Sequence, residues 1–292
     1  MQAYQSFLKP GCFDGKRILI SGGGSGIGRC TAHELASLGA QVIICGRTED
    51  KLKQVTQEIL EDGGQCQYQV LDIRDEDAVV DSIKTLVHTA PIDGLFNNAG
   101  GQFPSPLAKI NKKGFEAVSQ TNLTGTFLMS REVYLQSMAE HGGSIVNMLA
   151  DNANGMPGMG HSGAARAGVE NLTKTAAWEW GHQGVRVNAI APGWVASSGF
   201  DTYDPAFGHV IKRMKEQVPL KRLATESEIS AVICFLLSPA ANFVSGACIK
   251  IDGGSSLGSA PAIWPLPKGE ANNSDSINGF HRYQTPKILQ ES

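Results

Sequence analysis

Short apolar runs rich in β-branched residues recur along the chain, with longer stretches of helical period between them. RILIS (17–21), QVIICG (41–46), CQYQVLD (66–72), DGLFNNAG (93–100), SIVNML (144–149), VRVNAIAPG (185–193) and GACIKIDGG (246–254) have the composition of buried strands. In the stretches between, such as IGRCTAHELASLG and TEDKLKQVTQEILEDGG, apolar residues return every three or four positions. Leu52, Val55, Ile59 and Leu60 mark one apolar face of the second of these helices. Strands alternating with helices predict an α/β fold: a doubly wound parallel sheet of about seven strands with helices on both faces, in one domain spanning 1–258.

Two segments leave this rhythm. Residues 197–225 follow the end of a strand without a strand pattern of their own, which is where ligands enter such sheets, so a lid is expected there. Residues 259–292 are polar and rich in Pro, Asn and Ser, and are expected to form a mobile tail or an arm that packs on a neighbouring subunit. Ile263, Trp264, Phe280 and Tyr283 favour the arm, since such side chains are poorly left in water.

Composition narrows the class. With 292 residues, 41% hydrophobic and 18% charged, the chain can bury a sizeable core. A net charge of −3 gives no reason to expect a nucleic acid or an anionic membrane as partner. The cysteines, Cys12, Cys30, Cys45, Cys66, Cys234 and Cys248, form no C-x-x-C pair and read as free thiols of a reducing compartment. No metal-ligand spacing is present among the histidines, so no metal is expected. Neither a signal-peptide pattern nor a run of ~20 apolar residues occurs, and a cytoplasmic location is expected.

RILISGGGSGIGR carries the clearest binding signal. A strand ends at Ser21, Gly22, Ser25, Gly26, Ile27 and Gly28 follow, and a helix begins at once. Glycines there let the backbone turn tightly and bring N–H groups to a pyrophosphate at the positive end of a helix. The second strand ends in Cys45, Gly46 and Arg47, where an NAD enzyme usually places an acid for the ribose 2′-hydroxyl. A cation suits a 2′-phosphate, so NADP(H) is the expected cofactor, with Arg29 as a possible helper and a solvated Arg47 as the plain alternative.

These motifs, in this order, resemble the short-chain dehydrogenase/reductase family over roughly residues 12–255, and so imply a Rossmann-like sheet. By that resemblance Asp72 and Ile73 in LDIRD would border the adenine, and Asn98, Ala99 and Gly100 in NNAG the adenine ribose. Asn122 in NLTGTF stands at the family's catalytic-helix asparagine. Pro192, Gly193, Val195 and Ser197 in APGWVASS would hold the nicotinamide.

The family reduces carbonyls with a Tyr, Lys, Ser, Asn set, in which the tyrosine donates the proton. HSGAARAGVENLTK places Ser162 at the tyrosine position and Arg166 at the lysine position, and Leu149 and Ala150 stand where the serine would end the fifth strand. A serine hydroxyl is far too weak an acid to replace a phenol of pKa ~10. Arg166 can clamp ribose hydroxyls but does not readily donate a proton. The pattern resembles the trans-2-enoyl-CoA and 2,4-dienoyl-CoA reductase branch, through GGQFPSPL, HGGSIVN and CFLLSPAANFVSG as well. That resemblance implies reduction of a C=C bond conjugated to a thioester. Asn122, Ser162 and Arg166 are then the catalytic candidates, with Ser162, Asn122 and a backbone N–H near Gly100–Gln102 facing the enolate oxygen. The tyrosine that members of this branch place elsewhere is absent at Glu170 and near Asp151. His161, Asp151, Glu170 and Tyr203 remain as candidate acids.

Phe200, Tyr203, Phe207 and Met214 would give the substrate apolar surface, and Lys212, Arg213, Lys215, Lys221 and Arg222 charge for the phosphates of an acyl-CoA. An amphipathic lid helix with a solvated basic face explains the same residues. Family members usually pair through the helices that carry Asn122 and Ser162, and Trp178 and Trp180 suggest such a contact, so a homotetramer is expected. Two other functions stay open: an alcohol or aldehyde oxidoreductase for a bulky apolar substrate such as a terpenoid, and an NADP(H)-binding protein without turnover.

Overall fold

The computed structural model describes residues 3–202, 208–257, 266, 269 and 275–290. Tyr203, Phe207, Ile263 and Trp264 lie outside the described residues.

Seven strands form one sheet in the order β3-β2-β1-β4-β5-β6-β7. They are β1 (Arg17–Ser21), β2 (Gln41–Gly46), β3 (Gln65–Val70), β4 (Gly94–Asn97), β5 (Gly143–Met148), β6 (Val185–Pro192) and β7 (Cys248–Ile251), and every pairing is parallel. Strand order reverses between β1 and β4, and the crevice at their C-terminal ends is where ligands bind in this topology. Several strands stop short of the apolar runs that foretold them. Asp72, Asn98–Gly100 and Asp252–Gly254 belong instead to the turns at the C-terminal edge, where the site lies.

Side chains alternate across the sheet. Ile18, Ile20, Val42, Ile44 and Phe96 meet α1 (Gly26–Ser37), α2 (Glu49–Glu61) and α9 (Glu226–Leu237) on one face. Leu19, Ile43, Leu95 and Ile145 meet α3 (Glu76–Thr89) and α5 (Gly125–Val133) on the other. In α2, Leu52, Val55 and Ile59 are buried as expected, but Leu60 is 49% exposed. At about 100° per residue Leu60 lies at the edge of the stripe. Glu58 takes the inward place and pairs with Arg29 and His33 at 2.8 and 3.2 Å.

Between β4 and β5 runs a long helical segment, α4 (Lys112–Ser119), α5 and the short α6 (Ala139–His141), joined by π turns at Gln120–Thr124 and Tyr134–Met138. Beside it lies α7 (Gly160–Trp180), while α8 (Gly208–Arg213) precedes α9. All six cysteines are free thiols; Cys30, Cys45 and Cys234 are buried and the others half-buried. Among the described residues no helix is long and apolar enough to cross a membrane.

Candidate active site

The β1–α1 turn is built for close approach. Gly22 and Gly26 have φ of +69° and +57°, conformations that side chains other than glycine rarely adopt. A Cβ on Gly28 would lie 2.4 Å from the Gly22 carbonyl oxygen and 2.5 Å from Asn98 Nδ2, so the helix start presses directly on the turn. The free N–H groups at the start of α1 thereby face open space rather than side chains, a cradle that fits a pyrophosphate. β4 is locked to the same turn. Ser21 Oγ accepts from the N–H groups of Asn98 and Ala99, each at 3.1 Å, and Asn98 Nδ2 donates to the Gly22 carbonyl at 3.0 Å.

A cavity of about 350 Å³ runs along this cradle. It gathers Gly22, Ser25, Gly26, Ile27, Arg47, Asp72, Ile73, Asn98, Ala99, Gly100 and Ser197 of the expected cofactor set. Ser21, Gly28, Arg166, Pro192, Gly193 and Val195 do not line it. Ser21 and Gly28 act from behind, through the contacts above. Val195 is buried and bridged to Ala224, and a Cβ on Gly193 would strike the Asp252 backbone at 2.9 Å. Sequence reasoning missed Lys51, Arg74 and Thr121 on the cavity wall. Lys51 and Arg74 join Arg47 to make one end cationic, while Arg74 also grips Asp72 at 2.5–3.1 Å and holds that carboxyl below its ordinary range. Arg29 is directed elsewhere: it pairs with Glu58 and lies 5.0 Å from the Phe280 ring.

The three catalytic candidates meet beyond the Gly100 end of the cavity. Asn122 sits in the π turn between α4 and α5, the kind of helix defect that often marks a functional position. Its side chain is used at both ends: Oδ1 accepts from Gly101 N–H at 2.9 Å and Nδ2 donates to the Gly101 carbonyl at 3.0 Å. Ser162, one helical turn before Arg166 on α7, donates its hydroxyl to Gln102 Oε1 at 2.8 Å. Arg166 donates to the Met148 carbonyl and slides beneath Gly100, where a Cβ would lie 2.3 Å from its terminal nitrogen. Burial lowers the Arg166 pKa to about 10, which leaves it a cation at neutral pH, and among the described residues no carboxylate pairs with it. A buried polar frame under the site ties the elements together: Asn97 donates to Ser130 Oγ and Asn147 Oδ1 at 2.8 and 2.9 Å, and Asn147 to Thr173 Oγ1 at 3.0 Å.

Other titratable groups surround this centre. His161 is fully buried, accepts at Nδ1 from the Ser162 N–H at 2.9 Å and meets the Phe103 ring edge-on at 4.4 Å. Glu170 bonds Lys174 on the outer face of α7, and Asp151 lies in the loop after β5. Tyr283, expected in an arm that packs on a neighbouring subunit, instead donates its hydroxyl to the Ala196 carbonyl of its own chain at 3.0 Å, next to Ser197. Glu226, the first residue of α9, is buried behind the glycine turn; a Cβ on Gly26 would lie 3.8 Å from its carboxyl oxygen. Burial raises its pKa to about 7, against the pull of Arg29 and the Ser198 N–H.

A family model described as enoyl-(acyl carrier protein) reductase matches residues 22–256. The chain belongs to the short-chain dehydrogenase/reductase family. A probable (2E)-enoyl-CoA-producing 2,4-dienoyl-CoA reductase of Bacillus subtilis is 39% identical over 255 residues, covering 84% of this chain and 98% of that protein. The solved structure of a citronellol catabolism dehydrogenase of Pseudomonas aeruginosa PAO1 is 57% identical with a TM-score of 0.79, covering 87% of this chain and all of that one. A single-residue variant of actinorhodin polyketide ketoreductase, solved with NADPH, is 27% identical with a TM-score of 0.78, covering 83% of this chain and 98% of that one. As a member of this family the chain is an oxidoreductase of the nicotinamide-dependent type.

Proposed function

We propose that this oxidoreductase uses NADP(H) to reduce a C=C bond conjugated to a thioester, in an enoyl- or dienoyl-CoA-like substrate. The observation that carries the reading is the bond from Ser162 Oγ to Gln102 Oε1: at the position of the family's phenol stands a hydroxyl that donates to a carbonyl oxygen. Reduction of a conjugated alkene builds negative charge on the thioester oxygen and asks the protein for donors there, not for a strong acid. When bound, NADPH supplies the hydride that such a reduction consumes. Ser162 would offer its donor to the substrate oxygen in place of Gln102, and Asn122 holds Gly101, and with it the start of this loop, in place. Arg166, a buried cation without a carboxylate partner among the described residues, would hold the ribose hydroxyls; such a charge is costly unless a ligand compensates it. Arg47, Lys51 and Arg74 would receive the 2′-phosphate, and the Gly22–Gly28 turn the pyrophosphate.

A protein that binds NADP(H) without turnover would keep the same glycine turn and cations, so turnover of a substrate is what separates that reading from this one. A second reading is favoured by one observation, the 57% identity to a citronellol catabolism dehydrogenase: the substrate has a branched acyclic terpenoid skeleton, as an alcohol or as its unsaturated thioester. Purified protein with NADPH and straight or branched 2-enoyl- and 2,4-dienoyl-CoA, followed at the cofactor absorbance, is expected to turn over. Citronellol with NADP+ is the competing assay. Turnover of the alcohol alone overturns the alkene reading. On the active thioester, Ser162→Ala is expected to lower kcat about 10²-fold. An unchanged rate removes Ser162 from the mechanism. A second copy of the chain would cover the exposed Phe127, Leu135 and Trp178, and the assembly would be a homotetramer in the cytoplasm.

A further inference from the structure

The family match ends at residue 256, yet residues 275–290 make an ordered path over the same chain. The path has an anchor. Thr225 Oγ1 donates to the Ile277 carbonyl, and Gln5 N–H to the Gly279 carbonyl at 2.9 Å. Phe280 is 2% exposed; Tyr4 and His33 flank its ring at 5.8 and 4.9 Å, and the Arg29 guanidinium lies 5.0 Å from its centre. Arg282 bonds Asp62 at 2.7 and 3.0 Å and Glu61 at 3.3 Å, where α2 ends, and His281 Nε2 lies 3.0 Å from Asp62. A buried aromatic flanked by ion pairs on α1 and α2 is a firm attachment to the rigid cofactor half.

From that anchor the arm reaches the other side of the cleft. Tyr283 bonds Ala196, and the turn Lys287–Leu289 then packs on both the Ser198–Thr202 turn and α8. Ile288 N–H donates to Asp201 Oδ1 at 3.2 Å, the Ile288 side chain lies 3.4 Å from where a Gly208 Cβ would be, and Lys212 Nζ donates to the Gln290 carbonyl at 3.4 Å. These contacts fall on the residues that follow β6, on the side of the sheet where substrate enters.

We propose that the C-terminal arm is a strap that fixes the substrate wall of the cleft, with Ile288 and Tyr283 as its positioning residues, so that the arm helps set which substrates fit. Neither residue touches the reacting atoms. Tyr283 fixes the turn that leads into Ser197, and Ile288 fixes Asp201 and α8 relative to that turn. The kinetic consequence rests on the oxidoreductase reading, whereas the structural consequence does not.

The test uses the full chain with Ile288→Asp, beside Ile288→Val as the conservative control. Opening of a local segment exposes it to protease in proportion to the open population. Native trypsinolysis after Lys212, Arg213 and Lys215 is expected to accelerate about tenfold in Ile288→Asp, with hydrogen exchange rising over 198–202 and 208–213. Ile288→Val is expected to match the wild type, and NADPH affinity is expected to hold in both. On any substrate that turns over, Ile288→Asp is expected to raise KM more than it lowers kcat. Should Ile288→Asp fail to fold, removal of residues 286–292, which leaves the Phe280 anchor, gives the same measurements. Wild-type cleavage and exchange at those positions in a folded variant overturn the proposal, whether or not a substrate has been found.

Discussion

The buried carboxyl of Glu226 ties the stability of the fold to pH. Its pKa stands at about 7 in the folded chain against an ordinary 4.5, with burial as the main cause. Between those two values the folded state holds a proton that the unfolded chain gives up, so stability falls as pH rises from about 4.5 to 7 and stays lowered above. At ~1.4 kcal/mol for each pH unit the full loss is about 3 kcal/mol. Glu226→Gln keeps the shape and an acceptor for the Ser198 N–H but carries no charge. Urea melts of both proteins at pH 5 and pH 8 separate the terms. The variant is expected to exceed the wild type by less than about 1 kcal/mol at pH 5 and by about 3 kcal/mol at pH 8. Glu34, also buried and also raised by burial, contributes in the same sense but in both proteins, so it cancels in the comparison. Equal effects of the substitution at the two pH values refute the reasoning, because an uncharged loss of packing has no pH dependence.

Gly28→Ala is expected to weaken NADPH binding at least about tenfold in a fluorescence titration, since its Cβ has room only if the Gly22 turn or Asn98 shifts. Arg47→Ala is expected to weaken NADPH binding about tenfold or more by loss of a charge-assisted contact while leaving NADH binding unchanged; equal losses for the two cofactors would place Arg47 off the 2′-phosphate. Trp178, 88% exposed on α7, is expected to lie in a contact between copies, so Trp178→Glu lowers the mass measured by light scattering; an unchanged mass removes that face from the assembly.

What could be read before the structure was what the backbone demands of its residues. Positive φ at Gly22 and Gly26 and the close approach at Gly28 admit little besides glycine, so the cradle is written openly in the chain. The alternation of Ile18, Leu19 and Ile20 between two buried faces is equally direct, because one strand has only two sides. The features that escaped depend on partners far along the chain. Lys51 and Arg74 reach the cavity only because α2 and the turn after β3 start from neighbouring strand ends. Glu226 looks like an ordinary acid in the first turn of a helix, and its burial follows from how α9 meets α1 beside the glycine turn.

The arm shows the limit most clearly. Phe280 and Tyr283 signal that something must cover them, but hydrophobicity does not say what. The cover turns out to be the chain's own Tyr4, His33 and Arg29, far earlier in the sequence, together with the Ala196 carbonyl. No period or motif encodes that choice; it is made by a pocket that exists only once α1 and α2 have packed. The same argument separates the two halves of the active site. The glycine turn and the helix that follows it are local and legible, whereas the rest of the cavity wall is assembled from distant strand ends. The candidate catalytic residues Asn122, Ser162 and Arg166 come against one loop from two helices, and their meeting is a property of packing. Ser162 can be picked out in the sequence as a candidate, whereas the carbonyl oxygen it bonds is seen only in the fold.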